Sequence, residues 1–334
     1  MEKVAVVLLN YNGKKYLEQF LPLIIKYSES AVIYLADNAS IDDSVKFVRS
    51  KWPQIRIIPI PVNEGYSEGY NQALSTIEAE YYVLLNTDVE VTNGWLDPVI
   101  NFLDQHSDVA AAQPKILSYV EKHKFEYAGA CGGFMDHLGY PFCRGRIFLD
   151  LEEDNGQYDD KIEVFWATGA CLFIRSEVFH QAGGFDKRFF AHMEEIDLCW
   201  RMQHMGYKVF VIPESKVYHI GGGTLPKSNP RKTYLNFRNG LLMIYKNYPS
   251  EIFFKKYFAR MFLDILAAIK FLLFDSSKDF AAVIEAHFNF WAEKKHSKKS
   301  KYMKNPNPAR LILPRSVVWE YYIKKSRKFS QIKW

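Results

Sequence analysis

The first 85 residues alternate short apolar runs with segments of helical spacing, and the apolar runs tend to end in polar residues. The apolar runs predict strands at Val4 to Asn10, Ala31 to Ala36, Ile55 to Pro59 and Tyr81 to Leu85. The intervening spacing predicts helices at Tyr16 to Tyr27, Ser44 to Trp52 and Gly69 to Ile77. This alternation is typical of an α/β domain with a largely parallel central sheet.

Polar side chains stand where three of these strands end. Asn10 to Asn12 follow the first strand, Asp37 closes the second, and Asn86 to Asp88 follow the fourth. In open α/β sheets, ligands bind beyond the carboxyl ends of the strands. The sequence therefore predicts one crevice that these three polar segments line.

The rest of the chain gives weaker signals. Residues 115–162 are rich in glycine, aspartate and aromatics, and we expect loops or irregular strands there. Acceptor contacts usually lie in variable loops, expected here in residues 115–162 and 224–238. Further on, the pattern predicts an extended segment at Ile162 to Arg175, a helix from about Glu194, a strand at Lys208 to Ile212, and mostly helix after Pro230.

Charge is unevenly distributed along the chain. The net charge is +5, but Glu293 to Trp334 holds thirteen Lys or Arg against two Glu, so residues 1–292 carry −6. A basic tail suits phosphate partners such as anionic lipid, whereas the acidic body argues against nucleic acid as the main substrate. With 48% apolar residues, the chain can also build a full core.

The sequence lacks the motifs that are typical of several common functional classes. The first strand is followed by NYNG instead of GxGxxG, and no Gly-rich loop ending in Lys-Ser or Lys-Thr is present, so dinucleotide and ordinary NTP binding are disfavoured. Met1-Glu-Lys leads directly into a strand, and no signal peptide is expected. The four cysteines are scattered, which predicts free thiols in a reducing, cytoplasmic compartment.

Taken singly, each polar motif has an ordinary structural explanation. Asp37 suits a turn as well as a nucleoside contact, and Asn86-Thr87-Asp88 suits a turn as well as a divalent cation bridging a diphosphate. The acidic run Glu194 to Asp197 suits the first turn of a helix as well as a general base. His219 suits a hydrogen-bonded structural role as well as a ligand role.

The motifs taken together and in order resemble a known family. VAVVLLNYNG, LADNASIDDS, NEGYSEGYNQAL, YYVLLNTDVEV, WATGACLFIRSEVF, GGFDKRFFAHMEEIDLCWRMQHMGYKV and VYHIGGGT resemble family 2 glycosyltransferases with the GT-A fold, over residues 3–225. Within that family, the chain is similar to the rhamnosyltransferase-like enzymes of bacterial polysaccharide assembly. The resemblance implies a catalytic GT-A domain at 1–225 and a helical, basic region at 226–334. It also implies inverting transfer from a nucleotide-diphosphate sugar, with rhamnose as one candidate sugar.

The resemblance also implies roles for individual residues. Glu195 would be the base, with Glu194 and Asp197 left as alternatives, and Asp88 with His219 would bind Mg²⁺ or Mn²⁺. The donor would be held by Asn10, Tyr11, Asn12, Asp37, Asn63, Gly65, Asn71, Asn86, Thr87 and Asp88. Two residues depart from the family pattern, since Asn86 replaces an aspartate in the metal motif and Glu195 stands where Asp is usual. A catalytically silent nucleotide-sugar-binding scaffold of a glycan assembly complex is therefore the alternative.

An apolar segment at Tyr257 to Phe274 raises the question of membrane contact. Arg260, Asp264 and Lys270 interrupt it, so we do not expect it to span a bilayer. Either it packs on the catalytic domain, or it lies in the headgroup region with the basic tail attracted to anionic lipid. We expect the second, which predicts a cytoplasmic protein, peripheral on the inner face of the cell membrane, acting on a lipid-linked glycan.

Overall fold

The computed structural model describes residues 1–221, 229–301 and 307–334. Its strands are β1 Glu2–Asn10, β2 Val32–Asn38, β3 Arg56–Ile60, β4 Ala79–Asn86, β5 Val89–Val91, β6 Val109–Ser118, β7 Gly133–Asp136, β8 Pro141–Cys143, β9 Arg146–Ile147, β10 Asp150–Leu151, β11 Ile162–Glu163, β12 Cys171–Arg175, β13 Lys208–His219 and β14 Ile312–Leu313. Its α-helices are α1 Lys14–Tyr27, α2 Ser44–Lys51, α3 Gly65–Leu74, α4 Asp97–Gln105, α5 Ser176–Gln181, α6 Glu194–His204, α7 Pro230–Asn247, α8 Ser250–Lys270, α9 Ser277–Glu293 and α10 Val317–Tyr322.

The central sheet has the strand order β11-β13-β6-β12-β4-β1-β2-β3, with β5 paired to β13. Strands β4, β1, β2 and β3 are mutually parallel, β13 runs parallel to β6, and β12 lies antiparallel between β6 and β4. The predicted α/β fold with a largely parallel sheet is therefore confirmed.

Both faces of this sheet are covered, which explains why β1 is a continuous apolar run. Val4, Val6 and Leu8 point into one core with the buried faces of α1, α2 and α4. Ala5 and Val7 point into the opposite core, which α3, α5, α6 and α7 help to build. The alternation of β1 between two cores fixes its register and the position of its carboxyl end.

The first four residues of the segment 115–162 are more ordered than the sequence suggests. Lys115 to Ser118 continue the regular strand β6, so the expectation of irregular structure is wrong there. A lysine is tolerated in this buried strand because its ammonium bonds Asp154, at 2.8 Å, and Asp159. The rest of the stretch forms the short strands β7 to β10, and β14 completes a second sheet in the order β10-β9-β8-β7-β14.

Helix α7 confirms the helix predicted after Pro230 and occupies part of the segment 224–238 that was also expected to form a loop. The side chain of Asn229 accepts a hydrogen bond from the backbone N–H of Arg231 at 2.9 Å, and Pro230 occupies the first turn. The loop expectation is therefore wrong for residues 230–238. The remainder of that loop, residues 224–228, and the expected domain boundary at Leu225 lie outside the described residues.

The apolar segment Tyr257 to Phe274 lies in α8 and in the π-helical turn Phe271–Asp275 that follows. No helix in the described ranges is long and apolar enough to cross a membrane. Two of the charges that interrupt the segment face inward. Asp264 accepts hydrogen bonds from the Tyr140 hydroxyl at 2.6 Å and from Arg260 Nε at 3.1 Å.

All four cysteines are buried and free, as predicted.

Candidate active site

The carboxyl ends of β1, β2 and β4 meet at one edge of the sheet. The β1–β2 register places Asn10 beside Asp37, and the β1–β4 register places Leu9 beside Asn86. The predicted convergence of the three polar segments is thus present in the fold.

The side chain of Asn10 connects the loops at this edge through hydrogen bonds. Its side-chain N–H groups donate to Asp37 Oδ1 at 2.9 Å, Ser40 Oγ at 3.0 Å and Ser44 Oγ at 2.9 Å, while its Oδ1 accepts from the Gly13 N–H. Its side chain is fully buried and engaged, so it fixes the shape of the loop. The exposed neighbours of Asn10 in that loop are the ones placed to meet a ligand.

Tyr11 and Asn12 are those exposed neighbours. Asn12 adopts a left-handed backbone with φ 52, a region that Asn tolerates better than most residues. Its Oδ1 accepts from the backbone N–H of Ile41 at 2.8 Å, which ties the β1 loop to the loop after β2. Together with Asp37, these residues lie at the carboxyl ends of β1 and β2.

A second hydrogen-bonded group lies around Asn63 and Gly65. Asn63 Oδ1 accepts from Asn38 Nδ2 and from the Gly65 N–H, each at 3.0 Å. Gly65 has φ +91, and an added Cβ would come within 2.5 Å of the Phe190 carbonyl oxygen. Only glycine fits this approach, because the position needs both a left-handed backbone and no side chain.

Asn71 joins helix α3 to the loop before α6. Its amide exchanges two 2.9 Å hydrogen bonds with the backbone of Phe185. The amide thus ties α3 to that loop, and a part for Asn71 in donor binding stays a prediction.

Asp88 and His219 lie side by side, Asp88 just after β4 and His219 at the end of β13. His219 Nε2 is 3.2 Å from Asp88 Oδ1, and its Nδ1 is 3.3 Å from Glu126 Oε2. All three side chains are buried. Burial disfavours the imidazolium, but the two carboxylates outweigh it and raise the pKa of His219 to about 10. Glu126 was not anticipated, because it lies in the stretch where the sequence pattern was weakest.

This arrangement is compatible with a divalent cation. Asp88 Oδ1 and His219 Nε2 are 3.2 Å apart, a separation that two neighbouring ligands of one ion can have. Within the described residues, no group of three or more His, Cys, Asp or Glu is arranged to hold a metal alone. Two protein ligands suit Mg²⁺ or Mn²⁺, which commonly complete their coordination with substrate phosphates and water. Glu126, on the other imidazole nitrogen, has the position of a carboxylate that orients a metal-binding histidine.

The acidic run opens α6, as predicted. Glu194 is 4% exposed and Glu195 is half-buried, and each has a buried Oε2 without a hydrogen-bond partner among the described residues. Burial and the adjacent carboxylate Glu195 raise the pKa of Glu194 well above its usual range. Burial raises the pKa of Glu195 to about 7, which suits a general base at neutral pH.

Asp197, the third carboxylate of the run, has a different function. It is fully buried and bonds Lys246 Nζ at 2.8 Å, Arg201 Nε at 2.9 Å and Asn247 Nδ2 at 2.9 Å. Despite burial, Lys246 and Arg201 hold the pKa of Asp197 below its usual value. Of the three candidates for the base, Asp197 is thus the one the structure uses to anchor α6 to α7.

The loop before α6 holds strained backbone. Phe190, His192 and Met193 all have positive φ, at 63, 70 and 73. Asn239 on α7 stabilises this loop, because its Nδ2 donates to the carbonyls of Phe189, Ala191 and His192 at 2.8, 2.9 and 2.7 Å. No sequence motif marked Asn239, since its partners are backbone groups almost 50 residues away.

A sequence of contacts connects the acidic pair with Asp88. On one side, Glu194 and Glu195 lie near the Tyr66 hydroxyl, which donates to the Gly169 carbonyl at 2.8 Å. The next carbonyl, of Ala170, accepts from the Asn86 N–H at 3.0 Å. On the other side, burial and the nearby Lys232 lower the pKa of His192, and Lys232 approaches the Tyr127 ring. Glu126, the neighbour of Tyr127 in the chain, bonds His219. These links place the acidic pair and the Asp88–His219 pair on the same side of the sheet edge.

The fold is that of a glycosyltransferase of the GT-A type. The sequence profile of glycosyl transferase family 2 matches residues 5–182, and the chain belongs to that family and is a glycosyltransferase.

Relatives in this family include rhamnosyltransferases. The Mycobacterium tuberculosis N-acetylglucosaminyl-diphospho-decaprenol L-rhamnosyltransferase is 25% identical over 231 residues, covering 65% of this chain and 75% of that protein. The Shigella flexneri dTDP-rhamnosyl transferase RfbF is 22% identical over 260 residues, covering 73% of this chain and 81% of that protein. The chain is thus similar to rhamnosyltransferases, as the sequence motifs suggested.

Solved structures confirm the fold. GalNAc-T7, crystallised with UDP, GalNAc and Mn²⁺, has a TM-score of 0.62 at 15% identity, over 95% of this chain and 59% of that one. S. aureus TarS 1-349 in complex with UDP-GlcNAc has a TM-score of 0.57 at 14% identity, over 86% of this chain and 80% of that one.

Proposed function

We propose that the protein is an inverting glycosyltransferase that moves a sugar, with rhamnose the leading candidate, from a nucleotide diphosphate to a hydroxyl of a lipid-linked glycan. The observation that carries the proposal is the carboxylate pair Glu194–Glu195 at the start of α6, whose Oε2 atoms are buried, and we place this pair along one cleft with Asp88 and His219. A carboxylate with its pKa near neutrality and a free oxygen is equipped to accept a proton.

In the proposed reaction, the acceptor hydroxyl attacks the anomeric carbon of the donor. A bond forms between the acceptor oxygen and that carbon, and the bond from the carbon to the diphosphate oxygen breaks. The hydroxyl proton passes to Glu195, and the nucleoside diphosphate leaves with the bonding electrons. Because the attack occurs opposite the leaving group in one displacement, the anomeric configuration inverts.

The donor would lie across the strand ends. Asp37 and the exposed residues Tyr11 and Asn12 face the nucleoside, while the wall of Asn63, Gly65 and Asn71 limits its position. Asn86, Thr87 and Asp88 would face the diphosphate.

Asp88 and His219 would hold the Mg²⁺ or Mn²⁺ ion, and Glu126 would orient His219. When bound, the cation supplies positive charge that stabilises the departing diphosphate. Since metal ligands must be unprotonated, His219 would release its proton on binding. Because residue 86 is an asparagine, Asp88 supplies the carboxylate of the Asn86-Thr87-Asp88 motif. Such a site would rely on the substrate for further metal ligands.

The lipid-linked acceptor is suggested by a relative and by this chain's surface. The mycobacterial relative is named for an acceptor in which a diphosphate joins the sugar to decaprenol. In this chain, Phe258, Phe262 and Ile265 of α8 are exposed, whereas packing on the catalytic domain would have buried them. With the basic tail, this surface supports a cytoplasmic enzyme attached to the inner face of the cell membrane.

A donor screen followed by a product assay tests the proposal. The purified protein would be heated with Mn²⁺ and a panel of nucleotide sugars that includes dTDP-rhamnose, UDP-GlcNAc and GDP-mannose. A donor that binds the folded state raises the melting temperature. The stabilising donor is then incubated with membrane extract, and transfer is followed by radiolabel in the lipid fraction. Donor binding without any product, under all conditions, would contradict catalysis and favour the silent scaffold.

A further inference from the structure

Helices α8 and α9, with the π-helical turn between them, form an antiparallel hairpin with an apolar outer face. Thirteen of its large apolar side chains are exposed, whereas the described residues 1–221 expose six. The hairpin set is Ile252, Phe254, Phe258, Phe262, Ile265, Leu266, Ile269, Leu272, Leu273, Phe274, Ile284, Phe288 and Trp291. A continuous apolar surface of this kind marks an interaction site.

The face is densest at the tip of the hairpin. Leu272, Leu273 and Phe274 are 50%, 66% and 77% exposed, in consecutive positions of the turn. Between Phe258 and Phe274, all of which the structure describes, the only exposed charged residue is Lys270. Lys270 bonds Asp275 just beyond the apolar turn.

The inner face of the hairpin is fixed to the protein. Asp264 receives hydrogen bonds from Tyr140 and Arg260 and lies 3.2 Å from His287 Nε2, which connects the second sheet, α8 and α9. Tyr257 and Phe290 stack with ring centroids 5.8 Å apart. The outer face therefore stays exposed on a well-anchored element, and its exposure is not a sign of loose packing.

The tip lies at the cleft end of α7. Phe271 contacts Phe237 with ring centroids 6.4 Å apart, and Thr233 donates to Asp279 Oδ1 at 2.5 Å. Thr233 directly follows Arg231 and Lys232, which approach the rings of Phe190 and Tyr127 at the cleft. The apolar tip and the cleft thus lie at the same end of the helical layer.

We propose that the hairpin lies in the plane of an anionic bilayer with Leu272, Leu273 and Phe274 inserted, so that the mouth of the cleft is held at headgroup level. The inference rests on the proposed membrane attachment and deepens it, because it names the inserting element. It also explains how a sugar on a lipid carrier would reach the cleft without leaving the membrane.

Charge complementarity favours a lipid surface over a protein partner. Lys294 packs on the Trp291 ring, with its ammonium 3.5 Å from the centroid, at the base of the hairpin. Lys295 and Lys298, which follow Lys294 in the chain, are both exposed. Aromatic residues bordered by lysines along an in-plane amphipathic helix are typical of the headgroup region.

The experiment compares two variants of the whole chain in vesicle flotation. One is L272S/L273S/F274S, and the control is Val120→Ser, which removes an equally exposed apolar side chain, 78% against 77% for Phe274, from the catalytic domain. Vesicles contain phosphatidylglycerol mixed with phosphatidylcholine. We expect the triple variant to bind at least about 100-fold more weakly, because three apolar side chains no longer leave water. We expect the control to bind as the wild type does.

A second measurement reports insertion directly. The natural cysteines are all buried, so Leu273→Cys and, separately, Val120→Cys can be labelled with an environment-sensitive dye. On adding vesicles, the dye at residue 273 should shift to the blue and be quenched by lipids carrying a shallow quencher, while the dye at residue 120 should not change. Donor-induced stabilisation of the L272S/L273S/F274S variant should match the wild type.

The outcomes separate this inference from the proposed function. Wild-type-like vesicle binding by the triple variant, with an unshifted dye at residue 273, overturns insertion of the tip and leaves the glycosyltransferase proposal standing. Self-association through the hairpin, shown by a dimer of the wild type and a monomer of the triple variant without vesicle binding, also overturns it. Failure of the wild type to bind any nucleotide sugar counts against the proposed function and not against insertion.

Discussion

Glu194, Glu195 and Asp197 show how three neighbouring carboxylates acquire different roles. Asp197 is surrounded by Lys246, Arg201 and Asn247 and stays ionised. Glu194 is almost inaccessible, and its raised pKa favours the protonated form. Glu195 combines partial exposure with a pKa near 7, so it can exchange protons with an acceptor at physiological pH.

Replacing Glu195 with Gln should therefore abolish turnover and preserve donor binding. We expect kcat to fall about 100-fold or more, with donor affinity unchanged within about twofold, because a base acts in the transition state. Single-turnover kinetics and donor-induced thermal shifts measure the two effects. Glu194→Gln is the matched control, and a dead Glu194→Gln beside a normal Glu195→Gln would move the base by one residue.

The pH profile gives an independent test of the same base. Burial has raised the pKa of Glu195 to about 7, so its carboxylate is present above that pH and lost below it. The rate constant kcat/KM should therefore rise with pH and level off above about 7. Burial, with a further contribution from Glu195, raises the pKa values of the neighbouring titratable groups Glu194, Tyr66 and Cys199. A base with a pKa near 7 changes its charge between roughly pH 5 and roughly pH 8. A rate that stays constant over that range would contradict the assignment.

The proposed metal site predicts graded effects at two residues. Asp88→Ala and chelation by EDTA should both abolish transfer, because the carboxylate would hold the cation whose charge stabilises the departing diphosphate. Glu126→Gln should weaken Mn²⁺ binding about tenfold and recover activity at higher Mn²⁺, because it removes the charged partner of His219 Nδ1 and leaves both proposed metal ligands in place. Glu152→Gln is the control, since that buried carboxylate bonds Tyr158 at 3.0 Å. Full activity after thorough chelation would remove the cation from the mechanism.

Residues at strand ends could be located from sequence, and residues that support them could not. Asp37 and Asp88 follow apolar runs, so the expected sheet alone brings them to one edge. Glu126 and Asn239 have no such signal, because each acts through a tertiary contact with a residue or loop far along the chain. Local pattern carries no information about such contacts.

At the scale of elements, the strained loop before α6 depends on α7. Three positive-φ residues lie within Phe190 to Met193, and Asn239 compensates by donating to three of the neighbouring carbonyls. A helix outside the family-matched segment therefore holds the loop that leads into the carboxylates proposed as the base.

Asn239→Ala should destabilise the fold and slow catalysis. Leaving buried carbonyls without a donor costs on the order of 1–3 kcal/mol, measured as a lower urea midpoint. We expect kcat to fall more than donor affinity, because the loop positions Glu194 and Glu195. Asn236→Ala, on the same helix, is the control and should change neither quantity. Equal stability losses with unchanged kcat would show that Asn239 supports the fold only.

Elements built on sequence-local periodicity were the predictable ones. The helix predicted at Tyr16 to Tyr27 is observed at Lys14–Tyr27, and the strand predicted at Tyr81 to Leu85 at Ala79–Asn86. The second sheet was not predictable, since its strands are two to four residues long and β14 comes from residue 312 onward. Strands that short are too brief to show a repeat of two.

Over the whole molecule, charge and apolar surface are segregated. The acidic body carries the cleft, while the C-terminal region carries both the exposed apolar hairpin and the excess of Lys and Arg. The same region contributes Asn239 and Lys246 to the framework of the site and β14 to the second sheet. We therefore expect that the C-terminal region cannot be deleted without loss of folding, even though the cleft's proposed chemical groups lie before residue 222.

The attraction of the tail to lipid can be tested without disturbing the fold. Lys299 is unsuitable for substitution, because its ammonium bonds the carbonyls of Tyr245 and Tyr248. Lys295 and Lys298 are exposed, so the variant K295Q/K298Q removes charge at the surface alone. Each lysine near an anionic bilayer contributes about 1 kcal/mol, so binding to phosphatidylglycerol vesicles should weaken about 30-fold at low salt.

Salt screens this attraction over about 8–10 Å, so the difference between variant and wild type should shrink as salt rises, while the contribution of the apolar hairpin persists. Lys46→Gln together with Arg49→Gln, on α2 of the catalytic domain, serves as a control of equal charge. If that control weakens binding as much as K295Q/K298Q does, the net charge of the protein governs attachment, and the tail has no special part in it.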